Sequence, residues 1–239
     1  MLADGGAPEP QKHGLLEGLH QAGTQFRKLI DFIASHLPKW RDDPRRKPAT
    51  AEDVLSEHLC DYLNDEARNM PGIESFKFGR EPRDEANAKG NLDMSAKPVG
   101  DWLIVGARHY STYDTFLPIE CKRLPMPEPS RRDRDHREYL YDQYKSAGGV
   151  QRFKAGRHGA KHSIGAMIGY VQDGNSGEWL ARLNGWVTEL IEQRINGWSE
   201  TDALSLDNLD QANRAALLNS RHARVTGSDI ELRHLWIEM

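Results

Sequence analysis

The sequence lacks the patterns by which several classes of protein are recognised. Only two of the 239 residues are cysteines, Cys60 and Cys121, which is too few for a disulfide framework and fits no zinc-ligand spacing. No apolar run approaches the ~18–20 residues that a membrane-spanning helix needs. No GxGxxG or GxxxxGK[ST] motif is present, so we expect no nucleotide cofactor. We therefore expect a cytoplasmic protein with no membrane partner.

The charge of the chain is modest. It has 32 Lys and Arg against 36 Asp and Glu, for a net charge of −4, and so lacks the overall basicity that is typical of nucleic-acid-binding domains. Clustered acids lower such a total, however, and local patches decide binding more than the sum does. The length is sufficient for one large domain with a hydrophobic core, or for one domain with additions.

The N-terminal part of the chain differs in character from the rest. Residues 1–12 are small, contain proline and lack periodicity, which predicts a disordered tail. Apolar residues then recur every three or four positions from Leu15 to Leu37, which predicts an amphipathic helix. We interpret 13–48 as a helical extension with a charged linker, packed on the core or on a second subunit, and 49–239 as the main domain.

The most informative stretch is an apolar run, Phe116 to Ile119, that leads directly into Glu120-Cys121-Lys122. In a β-strand, residues i and i+2 point to the same face, so Glu120 and Lys122 emerge side by side. Burying two such charges is costly unless a partner or a metal uses them. Upstream, Asp93 follows Gly90 and stands between apolar residues. Carboxylates and a lysine that converge at strand ends can hold a divalent metal and handle a water nucleophile.

Asp93, followed after 26 residues by Glu120-Cys121-Lys122, resembles the signature of the PD-(D/E)XK nuclease superfamily. Leu92 stands where that signature has proline, and the resemblance covers about residues 50–172. It implies a restriction-endonuclease-like α/β fold, with a central mixed β-sheet flanked by helices. It also implies hydrolysis of phosphodiester bonds in DNA with Mg²⁺, for which Mn²⁺ can substitute. Asp93, Glu120 and the carbonyl of Cys121 would hold the metal, and Lys122 would orient or deprotonate the attacking water, its pKa lowered by burial.

The resemblance implies further site residues. Members of the superfamily often carry an extra glutamate on the helix before the strands, and Glu57 and Glu52 are both candidates here. A glutamine or arginine on the helix after the E-x-K strand often touches the scissile phosphate or the metal-bound water. Gln151 and Arg152 are the positions to which that role can be carried.

A basic segment, residues 152–162, contains four Lys or Arg, two His and no acid. A phosphate-contacting surface and a solvated loop are both open as interpretations. The cations that would contact nucleic acid are Arg152, Lys154, Arg157 and Lys161. His158 and His162 have i, i+4 spacing, but a cationic run without acids gives zinc little support.

The pattern of apolar residues predicts the remaining elements. A helix capped by Thr50 and running to about Asn64 precedes four strands in a meander, and later elements complete an α/β core. The predicted strands of the meander are 76–78, one around Asp93, 102–105 and 116–121. They are followed by a mobile loop at 124–135, a helix at 137–146, a strand at 163–172 and a helix at 176–195. The chain ends with a loop that contains a short helix at 199–213 and with strands at 222–225 and 230–236.

The sequence leaves the biological role open between restriction, anti-phage defence and repair. Two alternatives to a DNA endonuclease also stay open. One is a nuclease-fold module without activity that binds nucleic acid or assembles a complex, and the other is an RNA nuclease with the same site. A protein partner or a homo-oligomer is compatible with the N-terminal helix.

Overall fold

The computed structural model describes residues 19–20, 23–82, 91–100, 103–105, 107–125 and 135–239. The predicted tail at 1–12, most of the predicted loop at 124–135 and Trp102 lie outside these ranges. The helices are α1 (Thr24–Arg41), α2 (Glu52–Ala67), α3 (Gly149–Lys154) and α4 (Ser176–Glu192). The strands are β1 (Leu19–His20), β2 (Phe76–Arg80), β3 (Met94–Pro98), β4 (Leu103–Val105), β5 (Arg108–Tyr110), β6 (Leu117–Leu124), β7 (Ile164–Val171), β8 (Ser205–Asp210), β9 (Ala215–His222) and β10 (Ile230–Glu238).

A mixed seven-stranded sheet in the order β2-β3-β6-β7-β10-β9-β8 forms the centre of the fold. Strands β6, β7 and β10 are parallel neighbours, and the other neighbours are antiparallel. The α/β class and the central mixed sheet flanked by helices are therefore confirmed. The chain from β6 through α3 to β7 forms a β-α-β unit with parallel strands.

The predicted four-strand meander is wrong. Strand β3 pairs directly with β6, with Met94 opposite Ile119, while β4 and β5 form a separate small sheet with β1. The β4–β5 hairpin does not pair with the main sheet, but its apolar side chains pack into the same hydrophobic core as those of β3 and β6. The ring of Tyr110, for example, meets that of Phe116 edge to face with centroids 5.0 Å apart.

Helices cover both faces of the sheet. Alternate residues of β6 face opposite sides, so that Ile119 and Cys121 lie in the core under α1 and α2. The other core lies under α3 and α4, where Phe153 and Trp179 pack around Trp236 of β10. Helix α1 thus packs on the core, which is one of the two placements anticipated for the N-terminal extension. Both cysteines are buried.

Several local predictions differ from the structure. Residues 137–146 form turns rather than a helix, since this segment folds back on the start of α3: the N–H groups of Gly149 and Val150 donate to the carbonyls of Glu138 and Tyr139. A Cβ on Gly148 would lie 2.4 Å from the Cα of Tyr141, so only glycine fits this approach.

The ends of other elements also differ. Ala51, not Thr50, stands at the N-cap of α2, and no side chain caps it. Part of the predicted loop at 199–213 is strand β8, an edge strand with mostly exposed side chains, which the polar composition concealed. None of the helices in the described ranges combines the length and the apolarity that crossing a membrane requires.

Candidate active site

The ammonium of Lys122 lies at the centre of three carboxylates from three separate elements. Its Nζ lies 2.9 Å from Oε1 of Glu52, 3.2 Å from Oε1 of Glu120 and 3.6 Å from Oδ2 of Asp93. Glu52 is the first residue of α2, Asp93 immediately precedes β3, and Glu120 and Lys122 belong to β6. Residues separated by up to 70 positions in the chain therefore converge on one point.

The strand register explains this convergence. Because Met94 is opposite Ile119 in an antiparallel pair, one further step of the register brings Asp93 level with Glu120. The backbone N–H of Cys121 donates to Oδ2 of Asp93 at 2.8 Å and so fixes this carboxylate. Glu52 is fixed in the same way, since its Oε2 accepts from the N–H of Arg123 at 3.0 Å.

Glu120 has no solvent exposure, and basic side chains surround it. Nη1 of Arg152, on α3, donates to its Oε1 at 2.5 Å. Nδ1 of His158 lies 3.0 Å from its Oε2, but the two atoms are not aligned for a hydrogen bond, and neither has a hydrogen-bond partner within the described chain. Sequence reasoning missed His158, since its spacing carries no signal that it meets Glu120.

The electrostatics differ between the two acids of the signature. Burial alone would raise the pKa of Glu120, but Lys122, His158 and Arg152 outweigh it and hold the pKa at about 2. For Asp93 the balance is reversed: burial, together with the charge of Glu120, raises its pKa to about 6. The side chain of Asp93 is 28% exposed, so water screens part of this effect. Burial would lower the pKa of Lys122, yet Asp93, Glu120 and Glu52 raise it well above its ordinary value.

The donor chemistry suits a hard divalent cation. Carboxylate and carbonyl oxygens are the ligands that Mg²⁺ prefers, and Asp93, Glu120 and the carbonyl of Cys121 supply them. The pKa of Asp93 is raised because burial and the charge of Glu120 outweigh the ammonium of Lys122, and Oε2 of Glu120 is a buried acceptor without a hydrogen bond in the described chain. In the described ranges, no three His, Cys, Asp or Glu side chains are grouped as a ready-made metal site; the acids surround the ammonium instead.

Of the other predicted site residues, some lie at the cluster around Lys122 and others lie away from it. Of the two candidate glutamates on α2, only Glu52 reaches the cluster, whereas Glu57 pairs with Arg80 at 3.0 Å on the surface. Gln151 lies at the start of α3, where its Oε1 accepts from the N–H groups of Gly148 and Asp142 at 3.2 and 3.1 Å. In this position it holds the N-terminus of α3.

The predicted basic segment is not a continuous surface. Arg152 points to Glu120, and Lys154 is buried with its ammonium against the carboxylate of Asp202. Lys154 is therefore not available to phosphate at the surface, as the prediction required. Arg157 and Lys161 are exposed, although Arg157 also donates to the carbonyl of Ser146 at 3.0 Å.

A buried chain of hydrogen bonds, which sequence reasoning also missed, lies behind α3. It runs from Asp202 through residues of β9 and β10 to Tyr139, which also accepts from Trp236, and all of its residues are at most 2% exposed. Nδ1 of His222 lies 2.6 Å from Oδ1 of Asp202, and Nε2 of the same ring lies 2.6 Å from Oγ of Ser220. Oγ of Ser220 also lies 2.7 Å from Nε2 of His234, whose Nδ1 lies 2.8 Å from Oη of Tyr139. Nε1 of Trp236 donates to Oη of Tyr139 at 2.8 Å.

The chain contains a Ser-His-Asp sequence of contacts, but the arrangement does not suit nucleophilic catalysis. The carboxylate of Asp202 only accepts, so Nδ1 of His222 donates to it and Nε2 of His222 accepts from the hydroxyl of Ser220. The Oγ of Ser220, which is buried, then accepts from Nε2 of His234. Burial lowers the pKa of both histidines, which keeps them neutral, and each ring then donates with one nitrogen and accepts with the other. The network is thus satisfied internally, and it holds α3 through Lys154 and Tyr139.

Comparison of this chain with models of protein families, with curated proteins and with solved structures finds no match. Any function must therefore be argued from the site, that is, from the acids around Lys122 and the cations around Glu120.

Proposed function

We propose that this chain is a metal-dependent nuclease of the PD-(D/E)XK type that hydrolyses phosphodiester bonds in DNA. The observation that carries the proposal is the convergence of Glu52, Asp93 and Glu120 on Lys122 from α2, the start of β3 and β6. From Glu52 to Val171 the chain forms α2, the main-sheet strands β2 and β3, the β4–β5 hairpin, β6, α3 and β7. The central mixed sheet flanked by helices that results is compatible with the fold that the resemblance implies.

Asp93, Glu120 and the carbonyl of Cys121 would hold Mg²⁺ or Mn²⁺. Glu52, at the start of the helix that precedes the main-sheet strands, would be the additional acid, in preference to Glu57, which lies on the surface. When bound, the ion supplies a water of lowered pKa and stabilises negative charge on the phosphate. Asp93 is the acid whose ionised form gains most from such a cation, since its pKa is the one raised.

Lys122 acts in this proposal as an ammonium. Three carboxylates raise its pKa well above the ordinary value, so the expectation that burial lowers this pKa is wrong in direction. An ammonium donates hydrogen bonds and accepts none. Lys122 therefore orients the attacking water or neutralises charge on the phosphate, and it does not remove the proton itself.

Arg152 has a positioning role in the proposal. Its guanidinium holds Oε1 of Glu120, and with His158 and Lys122 it keeps this buried carboxyl ionised. An ionised Glu120 can ligate a cation throughout the neutral range. The carboxylate is thus prepared before any ion binds, which lowers the cost of forming the site.

The test is cleavage of supercoiled plasmid, linear duplex DNA, single-stranded DNA and RNA in Mg²⁺, Mn²⁺ or EDTA. We expect metal-dependent cleavage of DNA that is lost in Asp93→Asn and Glu120→Gln and strongly reduced in Glu52→Gln. Glu57→Gln is the matched control on the same helix and should cleave like the wild type.

Each other outcome contradicts the proposal in a defined way. Cleavage of RNA alone would identify an RNA nuclease, and binding of nucleic acid without cleavage would identify a module without activity. Cleavage by Asp93→Asn and Glu120→Gln at the wild-type rate would place any activity at another site.

A further inference from the structure

A cavity of about 420 Å³ borders α3. Its walls come from α3 and the turn that follows it, from the turns at 141–146, and from residues 196–198 and 223–225. Three cations line it, Lys154, Arg157 and Arg224, and none of the described residues in its walls is an acid. Three other cavities in the described ranges each have at least two acids in their walls. In a chain with a net charge of −4, the charge of this cavity therefore favours an anionic ligand.

Arg157 is the cation of this cavity that a ligand can reach. It is exposed, and its Nη1 donates to the carbonyl of Ser146 at 3.0 Å, which leaves other guanidinium hydrogens available. It has no carboxylate partner within the described part of the chain. The other two cations are fixed in the wall: Lys154 is bonded to Asp202, and Arg224 donates to three backbone carbonyls at 2.7–3.2 Å.

Two aromatic rings form the apolar part of the wall. Tyr141 and Trp198 meet edge to face with centroids 6.3 Å apart, and the ammonium of Lys154 lies 5.0 Å from the centre of the Trp198 ring. Both rings are half-buried, so each keeps open surface where it lines the cavity. A cation over an aromatic face is attracted to it, so Lys154 holds Trp198 in place. The wall thus offers an aromatic surface beside positive charge.

Gln151 adds a hydrogen-bond donor to the wall. Its Oε1 accepts from two backbone N–H groups, whereas its Nε2 has no acceptor among the described residues and is left to donate to a ligand. Gln151 and Lys154 are three residues apart and share one face of α3. Arg152 leaves the helix ~100° away from Gln151 and points to Glu120. One short helix therefore borders both the cavity and the candidate active site.

We propose that this cavity binds a single nucleotide, with the base against Trp198, the phosphate on Arg157 and the amide of Gln151 donating to an acceptor of the base. A phosphate alone would use Arg157 but neither ring, and an apolar ligand would leave the cations unused. Aromatic rings combined with cations are the means by which proteins hold unpaired nucleotides. The volume lies within the range of ~300–1,000 Å³ that is usual for small-ligand pockets.

The nucleotide is either free or one unit of a single strand, because both present the same base and phosphate. The inference goes beyond the proposed nuclease and does not depend on it. None of the described residues that line the cavity belongs to the acids around Lys122, and binding can be measured without metal.

The test is titration calorimetry of the full chain in EDTA with AMP, CMP, adenosine and inorganic phosphate. We expect both nucleotides to bind more tightly than adenosine or phosphate, because each of these offers only part of the contacts. Arg157→Gln should weaken the binding of AMP by about 10–100-fold, the effect of a lost charge-assisted hydrogen bond, and leave that of adenosine unchanged. Trp198→Leu should weaken the binding of both by about 5–100-fold, and Trp198→Phe, which keeps a ring, should restore most of it.

The matched control is Arg182→Gln. Arg182 is an exposed arginine of α4 whose Cζ lies 4.4 Å from the centre of the Trp179 ring, so it combines the same two groups outside the cavity, and its variant should bind AMP like the wild type. A single-stranded DNA of about 12 nucleotides distinguishes the two sources. Binding of this strand that is tighter than that of AMP and weakened by Arg157→Gln would assign the nucleotide to a strand. Binding of AMP without binding of the strand would identify a free nucleotide.

Three results would overturn the inference. One is that neither nucleotide binds at about 1 mM. Another is binding of AMP that neither Arg157→Gln nor Trp198→Leu weakens. The third is binding of phosphate as tight as that of AMP, since the base would then contribute nothing. Metal-dependent cleavage of DNA together with any of these results would overturn the nucleotide site and leave the nuclease intact.

Discussion

The two acids of the signature should have opposite effects on the stability of the metal-free protein. Asp93 has a raised pKa, so folding favours its protonated form, and its ionisation costs stability as the pH rises through the window from about 4 to 6. Glu120 has a lowered pKa, so it contributes stability above about pH 4.5 that is lost as the pH falls toward 2. Both signs follow from linkage between protonation and unfolding.

The shifts set the magnitudes. The pKa of Asp93 rises from 3.8 to about 6, which corresponds to about 3 kcal/mol at 1.36 kcal/mol per pH unit. Because the side chain is 28% exposed, screening reduces this to about 1–3 kcal/mol. Asp93→Asn replaces the carboxylate by a neutral group of the same shape, so it should raise the free energy of unfolding at pH 8 by this amount and change little at pH 4.

Glu120→Gln should act in the other direction. The pKa of Glu120 falls from 4.5 to about 2, again about 3 kcal/mol. The substitution also leaves the ammonium of Lys122 and the guanidinium of Arg152 with one acid fewer in a buried setting, which adds to the cost. We therefore expect a loss of about 3 kcal/mol or more at pH 8, which becomes smaller as the pH falls below 4.5.

The assay is denaturant unfolding of the wild type and both variants in EDTA at pH 4, 6 and 8, followed by fluorescence of the tryptophans. Saturating Mg²⁺ should remove the advantage of Asp93→Asn at pH 8, because the ion would stabilise the wild type selectively. If Asp93→Asn destabilises the protein at pH 8, or if both variants change stability in the same direction, the description of the charge balance in the site is wrong.

Two further predictions concern the supports of the site. Gly148→Ala should destabilise the protein by several kcal/mol in thermal melts and slow any cleavage, because the added Cβ would lie 2.4 Å from the backbone of Tyr141. The control is Gly185→Ala, at an open position in α4, which should stabilise the protein by about 0.5–1 kcal/mol. Equal effects of the two substitutions would contradict the close packing at Gly148. Ser220→Ala should lower the free energy of unfolding in denaturant by about 1–3 kcal/mol, since one ring nitrogen each of His222 and His234 loses its buried hydrogen-bond partner. A loss below ~0.5 kcal/mol would mean that the hydrogen-bond chain does not stabilise the fold.

The core of the site could be predicted because its determinants are local. The side-chain period of a strand places Glu120 beside Lys122, and the apolar run before them predicts that the strand is buried. Placing Asp93 beside them also required the strand order, and the predicted meander put the strand at 102–105 between the strand of Asp93 and the E-x-K strand. The structure instead pairs β3 with β6 directly.

The choice between Glu52 and Glu57 could not be made from the sequence. Five residues on an α-helix correspond to a rotation of about 140°, so the two side chains leave α2 in different directions. Which direction faces β6 depends on how the helix packs, and no local pattern encodes that. Glu52 faces the site because the N-terminus of α2 meets Arg123 at the end of the strand.

The burial of Lys154, within the basic segment 152–162, could have been predicted in part from the sequence. Val150 and Lys154 are separated by four residues and therefore share one face of a helix, and Val150 is buried. A helix over this segment would have predicted that Lys154 is buried too, whereas the interpretation as a surface run of cations placed it in solvent. Its partner, Asp202, lies 48 residues away, and no spacing in the sequence connects the two.

The ionised state of Glu120 depends on residues from the C-terminal half of the chain. Glu120 remains ionised without exposure because Lys122 on its own strand, and Arg152 and His158 from α3 and the turn that follows, all lie against it. Helix α3 has only six residues, too few to hold its own position. It is fixed by Tyr139 at its start and by Lys154 at its end, and both are bonded to a network that runs through β9 and β10. The terminal strands, far from the acids in sequence, thereby set the position of Arg152 and the charge of Glu120.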